Sequence, residues 1–208
     1  MYTPPAFRED DPAALRAIMR EARLATLVTA TAEGLVATPL PLFLDAGEGA
    51  FGTLYGHMAR ANPQWRLEPA GEALAIFAGP DAYVTPTFYP SKREHGKVVP
   101  TWNYAAVHAY GPVEFFEDEA RLRDAVTRLT DLYERPRAEP WAVTDAPERF
   151  IEAQLRGIVG VRLPIARIEG KRKMSQNRPQ ADRDGVASGL GASDSEADRR
   201  VAALVARG

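Results

Sequence analysis

Between residues 24 and 116 the chain repeats one pattern: a short apolar run, then a tight connection carrying glycine or proline. Leu24 to Ala30, Leu35 to Leu44 and Ala50 to Tyr55 are three such runs, joined by Ala32-Glu33-Gly34 and Ala46-Gly47-Glu48-Gly49. Short glycine-bearing links between extended runs read as antiparallel hairpins. Pro39 and Pro41 interrupt the second run, which marks an edge strand, a bulge or a kink. Ala73 to Ala78, closed by Gly79-Pro80, and the extended Tyr83 to Phe88 follow. Lys97 to Phe116 then supplies two strands, broken or bulged near Ala105-Ala106. Parallel neighbours need long crossovers, and these connections are too short for them. The expected fold is therefore mostly β: an antiparallel barrel of at least six strands, not a parallel α/β sheet.

Helices flank this region. Asp11-Pro12 pairs an N-cap with proline at the first helical position, and Leu15, Ile18, Met19 and Ala22 recur at helical spacing. Leu122, Val126, Leu129, Leu132 and Tyr133 form a second stripe, ended by Arg135-Pro136. Thr144 is placed to cap a helix through Phe150, Ile151 and Leu155, and Val159 to Ile168 reads as a last long strand. Near the end, Ser193 with Glu196 forms a capping box ahead of Val201, Leu204 and Val205. That helix needs a partner surface to be stable. The expected division is one domain over residues 1–178 and a C-terminal helical extension, 179–208, packed on the barrel.

The charge balance, 26 basic against 28 acidic residues, excludes a domain that binds nucleic acid over its whole surface but leaves room for a basic patch. Absence of cysteine removes thiolate nucleophiles, disulfides and cysteine zinc sites. Three scattered histidines are too few for an ordinary metal site. The opening MYTPPAFRED has no basic region leading into an apolar stretch, and no run approaches the length of a membrane span. The expectation is a cytoplasmic protein with no membrane contact.

Three stretches carry chemistry. GHMARANPQW, 56–65, follows an apolar run and offers His57, Arg60 and Asn62 in quick succession. Gly56 lets the backbone approach a ligand closely, and the planar fork of Arg60 suits a phosphate. The alternative is a strand, a turn and a short surface helix whose Trp65 fills the core. VPTWNY, 99–104, sets Thr101, Trp102, Asn103 and Tyr104 in a row. These can stack on a planar heterocycle and read its edge, or they can be the start of a strand with alternate residues buried. EGKRKMSQNR, 169–178, clusters Lys171, Arg172, Lys173 and Arg178 beside Gln176, either as a ligand rim or as a solvated face. No GxSxG, HExxH or phosphate-loop pattern occurs, and no helix-turn-helix spacing.

Taken together, MYTPPAF, GHMARANPQW, FAGPDAYVTPTFY at 77–89, VPTWNY and GKRKMSQNR resemble the PaiB family, known as FMN-binding negative transcriptional regulators. They run nearly end to end in family order. The resemblance implies a split β-barrel of the flavin-reductase and pyridoxamine-oxidase type, assembled as a homodimer with FMN at the interface. It implies FMN phosphate near His57, Arg60 and Asn62 after Gly56, with a hydroxyl from Thr38. It sets Thr101, Trp102, Asn103 and Tyr104 along the isoalloxazine, and Lys171, Lys173 and Gln176 at the rim. Arg172 stands where the family pattern would have a bulky apolar or aromatic residue, and Thr38-Pro39 replaces a more polar pair. Two functions follow: a flavin-binding regulator without turnover, or an NAD(P)H:FMN oxidoreductase. Haem binding is a distant third. No catalytic residue is implied, because the flavin carries the electron chemistry. Lys171, Arg172, Lys173 and Arg178 are the candidate DNA contacts of a direct regulator.

Overall fold

The computed structural model describes residues 1–207. Its strands are β1 (Arg8–Glu9), β2 (Ala25–Thr31), β3 (Gly34–Leu40), β4 (Leu42–Asp45), β5 (Thr53–Ala59), β6 (Ala73–Val84), β7 (Thr101–Gly111), β8 (Glu114–Phe116), β9 (Ile158–Pro164) and β10 (Arg167–Lys173). Its helices are α1 (Pro12–Glu21), α2 (Ser91–Glu94), α3 (Glu119–Glu134), α4 (Glu148–Leu155), α5 (Gln180–Gly191) and α6 (Glu196–Ala206). The chain divides into two compact units. The first comprises residues 1–21, 78–107 and the described chain from Glu169 onward; the second comprises 22–77 and 108–168. The boundary expected at 178–179 therefore falls inside the first unit.

In the second unit, β3 and β6 flank β2 antiparallel, and a separate antiparallel sheet has the order β4-β5-β9-β8. Alternation on β2 buries Ala25, Leu27 and Thr29 on one side. The break in the Leu35–Leu44 run falls at Pro41, which has no N–H to give a ladder. There the chain leaves one sheet and enters the other. Leu54, Val159, Val161 and Leu163 fill the β5–β9 pair with no exposed surface. Asp118 caps α3 by accepting from the Arg121 N–H at 2.9 Å. The apolar stripe of α3 meets that of α4 in a cluster of Phe116, Leu122, Val143, Ile151 and Leu155. Thr144 is not the cap of α4; it lies in a 3-10 turn, Val143–Asp145, and Pro147 holds the N-cap position.

In the first unit the strand order is β1-β10-β7-β6. Two expected interruptions are absent. β6 runs through Gly79-Pro80, and β7 runs through Ala105-Ala106, because the neighbouring strands hold both in place. A Cβ at Gly79 would lie 3.0 Å from that of Ala105, so glycine here sets how closely β6 approaches β7. The final strand instead divides after Pro164 into β9 and β10. The C-terminal segment forms two helices rather than one. Val186, Leu190, Val201 and Val205 are buried against Val84, Tyr89, Ala105 and Met174, which supplies the partner surface α6 requires. The N-cap of α6 is Ser195, accepting from the Asp198 N–H, while Ser193 donates to the Asp198 carboxylate. Of two serines two residues apart, the one adjacent to the first helical residue takes the cap.

Candidate functional site

In the second unit β5 extends to Ala59, so Gly56 and His57 are mid-strand and the turn starts at Arg60. The close approach that Gly56 makes is to its own chain. A Cβ there would lie 2.4 Å from the Pro41 carbonyl oxygen and 2.7 Å from Leu42 Cδ2. Asn62 caps a 3-10 turn, Pro63–Arg66, its Oδ1 accepting from the Gln64 N–H at 2.9 Å. Its amide nitrogen donates to Thr38 Oγ1 at 2.9 Å, so the two groups expected at a phosphate stand side by side. The Thr38 hydroxyl keeps its own proton to donate. Arg60 is more committed. Its Nε donates to the Arg156 carbonyl at 2.7 Å, Nη2 to the Ile158 carbonyl at 3.4 Å, and Nη1 pairs with the Glu117 carboxylate. A guanidinium has five N–H donors, which leaves two.

His57 lies beside these groups, at a cavity of about 440 Å³ lined by Thr38, Pro39, Pro41, Asn62 and Ile158 among others. Burial holds its pKa below the ordinary histidine value, which favours the neutral ring. Its Nδ1 is buried without a hydrogen-bond partner. Neutral histidine, one free hydroxyl and a half-exposed guanidinium with spare donors are a donor set that fits a phosphate monoester entering at this strand end.

Gln64 was not singled out by the sequence. It is fully buried, and its amide donates to Thr29 Oγ1 at 3.0 Å and to the Leu27 and Val36 carbonyls at 3.3 Å each. It thereby braces β2 and β3 from the turn that carries Asn62. Gln64→Leu keeps the volume and removes the donors. Leaving buried acceptors unpaired costs about 1–3 kcal/mol. At roughly 2–4 °C per kcal/mol for a chain of this size, the thermal midpoint should fall by about 2–12 °C. A melt equal to that of the wild type would remove this role.

In the first unit, the stretch Thr101–Tyr104 lies on β7 and divides by face. Asn103 has no exposed surface; its amide donates to Ser175 Oγ at 3.0 Å and its Oδ1 accepts from the same hydroxyl at 3.3 Å. It presents no edge to a ligand. Trp102 is half-exposed and packs edge to face on Tyr83, centroids 5.9 Å apart. Ser175 has φ 63°, the only positive value outside glycine among the described residues. Gln176 closes the same turn, its Oε1 accepting from Met174 N–H at 2.6 Å and its Nε2 donating to the Arg172 carbonyl at 2.5 Å. Gln176 thus helps build the turn, one N–H of its amide being used there and the other remaining. Arg172 donates to the Leu204 carbonyl at 2.9 Å, in the last turn of α6, where a cation is favoured. That accounts for an arginine at the position where the family pattern has an apolar side chain.

Lys171 and Lys173 occupy one face of β10. Lys171 is buried, donates to the Tyr2 carbonyl at 3.0 Å, and lies 5.1 Å from the Tyr104 ring centroid. Lys173 donates to Thr101 Oγ1 and, at 2.7 Å, to the Trp102 carbonyl. Burial, with Lys171 and Arg178 nearby, pushes the Lys173 pKa down. Among the described residues no group of His, Asp or Glu is arranged to hold a metal ion, and no helix is long and apolar enough to cross a membrane.

The fold is that of known flavoproteins. It matches the FAD and haem binding protein of Mycobacterium smegmatis with TM-score 0.57 at 17% identity, over 80% of this chain and 73% of that one. It matches the flavocytochrome Anf3 of Azotobacter vinelandii with TM-score 0.56 at 17% identity, over 80% and 69%. The class is the antiparallel split β-barrel with flanking helices. The family model described as "Putative FMN-binding domain" matches residues 1–167. The sequence is 34% identical to the Bacillus subtilis protease synthase and sporulation protein PAI 2, over 88% of this chain and 85% of that protein. An uncharacterised protein of Emericella nidulans is 35% identical over 99% of this chain and 96% of its own length. The chain belongs to this FMN-binding family, that of PaiB, and FMN is the cofactor its membership carries.

Proposed function

We propose that this protein is an FMN-binding regulator of the PaiB type, a homodimer that binds the flavin without turning over nicotinamide substrates. The observation that carries the phosphate part of this reading is the donor set of Thr38, His57 and Asn62 at one cavity of the second unit, with Arg60 on the turn that follows β5. When bound, FMN supplies a redox-active ring. The protein's own part is to bind and orient it: Thr38 and Asn62 donate to phosphate oxygens, Arg60 adds charge, and neutral His57 donates without a second cation. Exposed Leu24 and Leu35 on the second unit supply apolar surface for a partner subunit.

The basic stretch favours a regulator that acts through its ligand over one that grips DNA with these residues. Lys171 is buried and Arg172 is tied to α6, so two of the four candidate cations are turned to internal work. The polar groups at the cavity are accounted for by one flavin phosphate. FMN-loaded protein should therefore oxidise NADH and NADPH no faster than the same concentration of free FMN. Steady-state turnover clearly above that background would move the protein to the oxidoreductase class.

A further inference from the structure

In the first unit, α2 and the residues after it form a loop in which every side chain from Lys92 to Lys97 is exposed. The loop is nevertheless well fastened. The Ser91 N–H and hydroxyl both donate to the Asp182 carboxylate of α5, at 3.1 and 2.7 Å, and Asp182 is 2% exposed. Beyond that anchor, the Arg93, His95 and Gly96 N–H groups donate to the Pro90, Ser91 and Lys92 carbonyls at 2.9, 3.1 and 3.1 Å. The Lys97 N–H donates to His95 Nδ1 at 3.0 Å, and Gly96 makes the turn with φ 67°. Ordering a backbone costs roughly 1–2 kcal/mol per residue, and here no side chain of residues 92–97 is buried in return. A loop held in place without feeding the core is a place where a scaffold carries function. Its chemistry is cationic. Lys92, Arg93 and Lys97 stand against Glu94 alone, a net charge of +2 in a chain whose total is −2. All three arginines of α3 are paired with carboxylates. Among the described residues the charged groups of Lys92, Arg93 and Lys97 have no such partner.

We propose that this loop is a contact surface for the phosphate backbone of duplex DNA. Side chains that are all exposed enclose nothing, so a small anion gains no sheltered site here, whereas a polyanion gains one contact per cation. Lys92, Arg93 and Lys97 each take a backbone phosphate and release its counterions. His95, with Nδ1 accepting from the Lys97 N–H, offers its Nε2–H as a further donor. Contacts of this kind position a protein on DNA without reading its sequence. A duplex presents one charge per ~1.7 Å of axis, about twice the density of an extended acidic polypeptide at roughly 3.3–3.6 Å per residue, and this favours DNA as the occupant. These cations are free where those of β10 are not, since Lys171 is buried and Arg172 is tied to α6. The inference rests on the regulator reading of this protein, to which it adds the partner.

The test is fluorescence anisotropy of a labelled DNA duplex titrated with the full FMN-loaded chain, across about 50–200 mM salt. The wild type should bind, with an affinity that falls steeply as salt rises. The triple variant Lys92→Gln, Arg93→Gln, Lys97→Gln should bind at least about tenfold more weakly at the low-salt end, and its log-affinity against log-salt slope should be shallower by about 3 for each loop in contact. Its thermal midpoint and FMN affinity should match the wild type, because exposed, unpaired side chains contribute little to stability. Lys92→Arg with Lys97→Arg should keep DNA binding, and Glu94→Gln should hold or tighten it. No binding of the duplex at the low-salt end overturns the proposal, and so does a triple variant that binds like the wild type. Polyglutamate that displaces the duplex as well, charge for charge, as unlabelled DNA also overturns it, because the loop then serves acidic protein equally. Oxidation of NADH or NADPH above the free-FMN background in the same preparation sinks the regulator reading, whatever DNA does. Absence of DNA binding without such turnover loses only the loop.

Discussion

Arg60→Ala should weaken FMN binding by about 10–150-fold and leave riboflavin nearly unchanged. A charge-assisted hydrogen-bonded pair contributes about 1.5–3 kcal/mol, and each 1.4 kcal/mol is a decade in affinity. Riboflavin has no phosphate, so it is the internal control for any general damage. Such a control matters because Arg60 also ties the turn to the Arg156 and Ile158 carbonyls. Glu117 supplies a second one. Its carboxylate competes for the same guanidinium and is half exposed, so Glu117→Ala should cost little stability. The released charge should then hold FMN as tightly as before or more tightly. Fluorescence titration of both flavins against the three proteins measures all of this. Equal losses for FMN and riboflavin in Arg60→Ala, or a large FMN loss in Glu117→Ala, would place the phosphate elsewhere.

Gly56→Ala should lower stability by about 1–3 kcal/mol even with no flavin present. The added methyl meets the Pro41 carbonyl oxygen at 2.4 Å, and a backbone atom fixed between β3 and the Leu42–Gly56 pair cannot move aside as a side chain would. For a chain of this length the thermal midpoint should drop by about 2–12 °C. If the glycine instead serves a ligand's approach, the flavin-free variant melts like the wild type and only flavin affinity falls. Melting the flavin-free protein separates these outcomes.

Much of the architecture was legible because local signals and tertiary demands agreed. The Asp11-Pro12 start of α1 and the Arg135-Pro136 stop of α3 lie at or next to the observed ends. The hairpin from β2 to β3 turns at Gly34, whose φ of 115° suits the glycine read there. Gly79-Pro80 misled for the opposite reason: a turn signal was overridden by the ladder on either side. The capping box at Ser193 and Glu196 also matched the spacing rule, yet Ser195 took the role.

The candidate residues divide along the same line. By itself the sequence determined which stretches carry the polar chemistry, the family they belong to and the cofactor that follows, because these depend on residue types in a fixed order. Only the tertiary structure decided which of those groups are already spent. Asn103 is consumed by Ser175, part of Gln176 by its own turn, Arg172 by α6 and much of Arg60 by Glu117, partners that lie between 4 and 72 residues away. The same holds for the lysines of β10. Among the described residues neither is paired with a carboxylate, a property of the space around them in a chain with more acidic than basic residues. Hydrogen bonds and ion pairs form between neighbours in space, and a linear pattern of residues does not specify them.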